Sequence, residues 1–182
     1  PVVTEAGIHY VEINLSVVQF ERADLADRLI GIAEKHGIAP HLINLEITET
    51  ASVTVRSTLL QNMNRLIEYG FTFSLDDFGK GESNLMYVVE MPVSIIKLDY
   101  DMSKAFFSSE KAKQVVHAVV GMAHGMDLKL VAEGIETKKE IDGMADAQID
   151  YIQGYYYSRP LPMHEFIKFM IEHAAADRLS AH

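Results

Sequence analysis

Cysteine is absent from the 182-residue chain, which excludes a disulfide framework, a thiolate metal centre and a cysteine nucleophile together. Positive charge is scarce: 16 Lys and Arg stand against 26 Asp and Glu, a formal net charge of −10. That balance argues against a surface that neutralises nucleic-acid phosphates, so DNA is not expected as a partner. An anionic ligand would need bound cations to invert the local field. Long apolar runs are also missing. No stretch approaches the roughly 18 residues of a membrane span, and the opening PVVTEAGIHYVEINLS lacks the basic and apolar sections of a secretory leader. The expectation is a soluble, cytoplasmic domain, free or as the cytoplasmic part of a membrane-anchored protein. With 48% hydrophobic and 23% charged residues, the composition is that of one globular domain over residues 1–182.

What the chain does have is a repeated unit: an amphipathic helix, a closing Gly, then a short β-branched or aromatic run that ends in a polar residue. One helix is predicted from Ala23 to His36, with Leu25, Leu29, Ile32 and Ala33 on one face, closed by Gly37 before a strand from Leu42 to Glu46. A second runs from Val53 to Tyr69, closes at Gly70 and leads into Phe71 to Asp76; a third, Lys113 to His124, closes at Gly125 before Leu128 to Glu133. Gly after a last helical turn is the expected left-handed cap. Further strands read from Tyr10 to Asn14, Ser94 to Lys97 and Asp150 to Gln153, and Thr137 to Glu140 forms a capping box that opens a helix. Helices alternating with short strands imply parallel pairing and the α/β class. GKGES at Gly79 to Ser83 lacks the spacing of a phosphate loop, so a (β/α)8 barrel is a better expectation than a doubly wound nucleotide fold. Such a barrel needs about 250 residues; six strands predict that the first two βα units are absent.

The polar residues that end these strands carry the chemistry: Asn14, Glu46, Asp76, Lys97, Glu133 and Gln153, each on a different strand. The C-terminal strand ends of a β/α barrel converge on one mouth. A lone acid at a strand end is usually solvated, but six polar ends in succession are hard to ascribe to chance. Three carboxylates crowded there would raise one another's pKa unless a cation separates them. Oxygen ligands select Mg²⁺, Mn²⁺ or Ca²⁺, and Asp77 is placed to reach a second ion, the arrangement used for in-line attack at phosphorus. Lys97 supplies either a point charge or, with a lowered pKa, a base that orients water. Asp77-Phe78-Gly79 matches a kinase tripeptide, but the accompanying kinase motifs are missing. The eight His show no metal-ligand spacing, and the nine Met and Tyr155-Tyr156-Tyr157 read as core and rim packing, with a Tyr at the mouth able to stack on a base.

Taken together, INLS at 13–16, LEITET at 45–50, DDFGKG at 76–81, IKLD at 96–99, VAEGIET at 131–137 and QGYYYSRP at 153–160 closely resemble the EAL-domain family of bacterial cyclic dinucleotide phosphodiesterases. The resemblance implies a barrel that hydrolyses cyclic di-GMP to linear pGpG with two Mg²⁺ or Mn²⁺ ions. It implies Asn14, Glu46, Asp76 and Glu133 as metal ligands, Asp77 as holder of the second ion, Lys97 as the residue that positions or activates water, and Gln153 as its support. Glu49 would anchor the loop after Asp77, and Asp99 and Glu136 would act behind the ligands. A homodimer and attached sensory or cyclase domains are further implications.

The chain departs from the family pattern twice. The name-giving Glu-Ala-Leu strand is absent, in line with the two βα units missing by length. The loop that reads DDFGTGYSSL in active members reads DDFGKGESNL here, with Lys80, Glu82 and Asn84 replacing a Thr, an aromatic and a Ser. These departures favour a rival reading, a receptor of the same fold that binds cyclic di-GMP without cutting it. A third reading, a barrel that uses Lys97 and a metal to stabilise an enolate, would not need the aspartate pair.

Overall fold

The structure is a computed structural model that describes residues 8–48, 57–80 and 85–180. Six strands form one sheet: β1 (Val11–Asn14), β2 (Ile43–Thr48), β3 (Thr72–Phe78), β4 (Ile95–Leu98), β5 (Lys129–Ala132) and β6 (Tyr151–Ile152). Every pairing is parallel and the spatial order is the chain order. All six strands expected from the sequence are present, and the α/β class holds. An order that never reverses has no switch point and so is not doubly wound. Within the described residues β1 and β6 are the outer strands, and no contact closes them into an eight-stranded ring.

Helices alternate with the strands: α1 (Val17–Phe20), α2 (Leu25–His36), α3 (Ser57–Tyr69), α4 (Leu85–Glu90), α5 (Tyr100–Ser108), α6 (Glu110–Gly125), α7 (Lys138–Asp146) and α8 (Met163–Ser180). Strand alternation divides the sheet into two unlike faces. Leu45, Ile47, Phe73, Leu75, Ile96, Leu98 and Leu130 are almost fully buried on one of them. They form one core with helical Phe20, Ala26, Ala33, Met63, Leu66, Val116 and Ala123. Each large apolar side chain so buried contributes about 1.5–3 kcal/mol. Asn62 of α3 is the polar member of this layer: its Nδ2 donates to the carbonyls of Phe20 and Arg22, both at 2.9 Å, and its Oδ1 accepts from Ala26 N–H at 3.4 Å. Those bonds offset the cost of its burial and tie the α1–α2 turn to α3.

Several sequence expectations are corrected. Ile32 is 51% exposed, so the buried stripe of α2 runs through Leu25, Ala26, Leu29 and Ala33 instead. Gly37 does take the left-handed conformation that ends α2, but Gly125 is the last residue of α6 and Asp127 makes the left-handed turn at φ 59°. α6 begins three residues earlier than expected because Ser109 Oγ accepts from Ala112 N–H at 3.3 Å and caps it. Helices α1, α4, α5 and α8 were not anticipated. The expected helix start at Val53, and residues Glu49, Glu82 and Asn84, lie outside the described residues. No helix among the described residues is long and apolar enough to cross a membrane.

The anticipated capping box is present at α7. Thr137 Oγ1 accepts from Glu140 N–H at 3.2 Å, and Glu140 Oε2 accepts from the N–H groups of Glu136 and Thr137 at 2.8 and 3.0 Å. Lys104 Nζ donates to the other Glu140 oxygen at 2.6 Å, tying α5 to α7. Burial acts to raise the Glu140 carboxyl, but the Lys104 ammonium and the two N–H donors outweigh it and hold the group down at about 2. A carboxyl lowered in this way stabilises the fold above its unfolded value near 4.5 and loses that contribution as pH falls toward 2. Glu140→Gln should therefore cost about 1–2 kcal/mol at pH 7. Denaturant melts of both proteins should show the gap closing as pH is lowered from about 5 to about 2.

Candidate active site

The face of the sheet opposite the apolar core is polar on β1, β2 and β3. Parallel register sets Glu12 beside Asn44, Asn14 beside Glu46, Glu46 beside Ser74 and Thr48 beside Asp76. A hydrogen-bonded layer lies lowest, with Asn44 and Ser74 fully buried and Thr72 partly so: Ser74 Oγ donates to Asn44 Oδ1 at 2.7 Å, and Asn44 Nδ2 donates to Thr72 Oγ1 at 3.0 Å. Layers at this depth in barrels are ordinarily branched aliphatics. Here the hydrogen-bonded layer provides a rigid floor, with Asn44 two residues before Glu46 and Ser74 two residues before Asp76 on the same strand faces.

On that floor stands Lys97 of β4, only 3% exposed. Its ammonium is hydrogen-bonded to Glu46 Oε1 and lies 2.9 Å from Glu133 Oε1, 3.4 Å from Glu12 Oε2 and 3.9 Å from Asp76 Oδ1. Four carboxylates share one ammonium, so negative charge is in excess. Burial pushes the carboxyls of Asp76 and Glu133 upward despite Lys97. Burial also pushes Glu12, beside Glu46, up to about 7. Burial acts against the Lys97 ammonium as well, but the hydrogen bonds to Glu46 and Glu133 outweigh it and raise its pKa. Of the two roles open to Lys97, this arrangement favours the cation over the base.

Glu46, Asp76, Lys97 and Glu133 are thus brought together. Asn14 is exposed at the outer strand, level with Glu46. Gln153 lies at the exposed rim, where its N–H donates to the Ala132 carbonyl at 2.9 Å and its carbonyl accepts from Ile135 N–H at 3.2 Å. Gly154 allows that approach, since a Cβ there would fall 1.9 Å from the Ile135 carbonyl oxygen. Asp77 faces elsewhere. The β3–β4 register shifts between Leu75 and Phe78, Asp77 adopts φ 59°, its N–H donates to Asp76 Oδ1 at 2.8 Å and its own Oδ1 accepts from Lys80 Nζ at 2.9 Å. Asp99 is buried and caps α5 by accepting from Asp101 N–H at 2.8 Å. Glu136 is exposed and borders a cavity of about 1090 Å³ that opens between the outer strands past Tyr10, Glu12, Glu133 and Gln153. Across the same cavity the Arg159 guanidinium lies 4.5 Å from the Tyr155 ring centroid.

Glu12 went unrecognised in the sequence although period-2 alternation points to it, two residues before Asn14 and on the same face. Asn44 and Ser74 were missed because nothing in their local pattern marks them as buried.

Among the described residues no three acidic or imidazole side chains by themselves form a group able to hold an ion; the acids gather around Lys97 instead. The donor set nonetheless fits a hard divalent cation. It is all oxygen, it is short of positive charge, and Glu12 Oε1 is buried without a hydrogen-bond partner.

Comparison with known proteins agrees with this geometry. The model of the EAL domain family matches residues 4–160. The cyclic di-GMP phosphodiesterase NbdA of Pseudomonas aeruginosa is 32% identical over 160 residues, covering 88% of this chain and 20% of its own length. The EAL enzyme Bd1971, solved with cAMP and cyclic di-GMP, is 33% identical with a TM-score of 0.84 over 88% of this chain and 43% of that one. Klebsiella pneumoniae BlrP1, solved with manganese and cyclic di-GMP, is 26% identical with a TM-score of 0.78 over 87% and 41%. The chain spans about a fifth of the length of curated relatives such as NbdA.

Removal of the ammonium leaves buried acids uncompensated, a change that typically costs about 3–5 kcal/mol. Lys97→Met should therefore lower unfolding stability by that amount at pH 7 in chelator, measured by urea denaturation, and added Mn²⁺ should restore part of the loss.

Proposed function

The chain belongs to the EAL-domain family, and from that membership we propose that it is a phosphodiesterase domain that hydrolyses cyclic di-GMP to linear pGpG with Mg²⁺ or Mn²⁺. The observation that carries the proposal is the Lys97 ammonium buried among Glu46, Asp76, Glu133 and Glu12, a cluster whose Glu12 and Glu133 line a cavity large enough for a dinucleotide. Glu46, Asp76 and Glu133, joined by Asn14 from the neighbouring strand, would hold the first ion, and Asp77 the second. Bound ions supply positive charge to the phosphate and acidify the attacking water.

The protein's own groups perform the rest. Lys97, fixed by Glu46 and Glu133, directs a positive charge at the oxygens on which negative charge grows as water adds to phosphorus. Gln153, held at the rim by its backbone bonds to Ala132 and Ile135, offers an amide to orient that water. Asp99, which accepts from Asp101 N–H, caps α5 behind the ligands, and Glu136 would act behind them from the rim of the cavity. The Tyr155–Arg159 pair presents an aromatic face suited to a base. Cytoplasmic residence, a homodimer and attached sensory or cyclase domains belong to the same proposal.

One observation favours a second reading. Lys80 stands where active members carry Thr, and its ammonium pairs with Asp77 at 2.9 Å, in competition with the second ion. A domain so blocked would bind cyclic di-GMP without cleaving it. Incubation with cyclic di-GMP and Mn²⁺, followed by chromatography, separates the two. Metal-dependent pGpG that falls at least about 100-fold in Glu46→Gln and Lys97→Met supports hydrolysis. Binding without turnover, with turnover gained in Lys80→Thr, identifies the receptor.

A further inference from the structure

Glu12 belongs to no part of the machinery assigned so far. It sits on β1, an outer strand, with its side chain on the polar face level with Asn44. One carboxylate oxygen, Oε2, lies 3.4 Å from Lys97 Nζ. The other, Oε1, is shut off from solvent and has no hydrogen-bond partner, the single such buried side-chain atom among the described residues. Leaving a carboxylate oxygen buried and unbonded is costly, and the nearest cation is already shared with Glu46, Asp76 and Glu133. Glu12 itself lines the cavity that opens between β1 and the ends of β5 and β6, while its unpartnered oxygen is on the enclosed side of the carboxylate.

We infer that Glu12 is a further carboxylate ligand for the divalent ion of this site, with Oε1 as the donor that the ion completes. The inference rests on the metal-dependent reading proposed above and adds to it a ligand contributed by the outer strand. A carboxylate oxygen on the same polar face as Glu46 suits a hard cation and offers nothing to a soft one. Glu12 also answers a problem of charge. As a group that only braces the fold it is poorly chosen, because it adds a fourth negative charge around one ammonium; as an ion ligand it is well chosen.

These alternatives predict opposite signs. Mn²⁺ binding is to be measured without nucleotide, from the loss of the free-ion paramagnetic resonance signal, together with thermal midpoints in chelator. As a ligand, Glu12→Gln should weaken Mn²⁺ binding about tenfold or more while its midpoint in chelator stays equal or rises, since one crowded charge has gone. Glu12→Asp, which keeps the charge but draws the donor back, should also weaken binding and serves in its place if Glu12→Gln does not fold. Mn²⁺ affinity within twofold of the wild type in the variants overturns the inference and leaves the phosphodiesterase reading intact. Midpoints in chelator that fall in both variants assign Glu12 to the fold and likewise overturn it. A wild-type chain that binds no Mn²⁺ overturns this inference and the metal-dependent function together.

Discussion

A buried ammonium surrounded by more carboxylates than it can neutralise is the constraint on which the rest of the molecule depends. Lys97 reaches that position because β4 is an interior strand, buried along its whole length, and because its neighbours in register bring acids to the same level. The apolar side of the sheet supplies the rigidity. Leu45, Ile47, Phe73, Leu75 and Ile96 lock β2, β3 and β4 against the helices, so the charged groups on the opposite side cannot move apart to relieve their repulsion. Stability from one face is thereby converted into electrostatic tension on the other, a tension of the kind that bound positive charge relieves.

This division of labour explains why the β1–β2–β3 half of the polar face is hydrogen-bonded down to its lowest layer. An aliphatic layer beneath Glu46 and Asp76 would deepen their desolvation, whereas Asn44, Thr72 and Ser74 provide dipoles and accept a fixed geometry. Beyond the sheet, the loops at the rim are held by backbone bonds. Ile135 receives and donates across the Gly154 approach, and the α7 cap with its Lys104 partner stops the segment after Glu133 from drifting. The site is thus built on strands and braced by capped helices, a more exact mounting than free loops would give.

Much of this was legible in the sequence. Short apolar runs located all six strands, three of them after glycine-closed helices, and polar residues at their ends picked out Glu46, Asp76, Lys97 and Glu133. The pattern failed where local chemistry and three-dimensional setting part company. Gly125 looked like the left-handed cap after the last turn, yet it is the last helical residue and Asp127 takes the left-handed turn instead. Asn62 sits within an amphipathic helix and reads as surface, but two carbonyls 40 or more residues away claim its amide. Glu12 was readable in principle from its two-residue offset to Asn14. It went unnoticed because attention to strand ends overlooks the residue one pleat below.

Asp77 carries a consequence of another kind. Its backbone lies in the left-handed region at a register slip, a conformation that among ordinary residues suits Asp and Asn almost alone. The chain therefore accepts Asn at this position with little conformational cost, although Asn lacks the charge that holds a cation or pairs with Lys80. Aspartate and asparagine codons differ by a single base. A lineage carrying this domain is thus one point mutation from discarding the charge that pairs with Lys80 while keeping the shape of the turn that presents it.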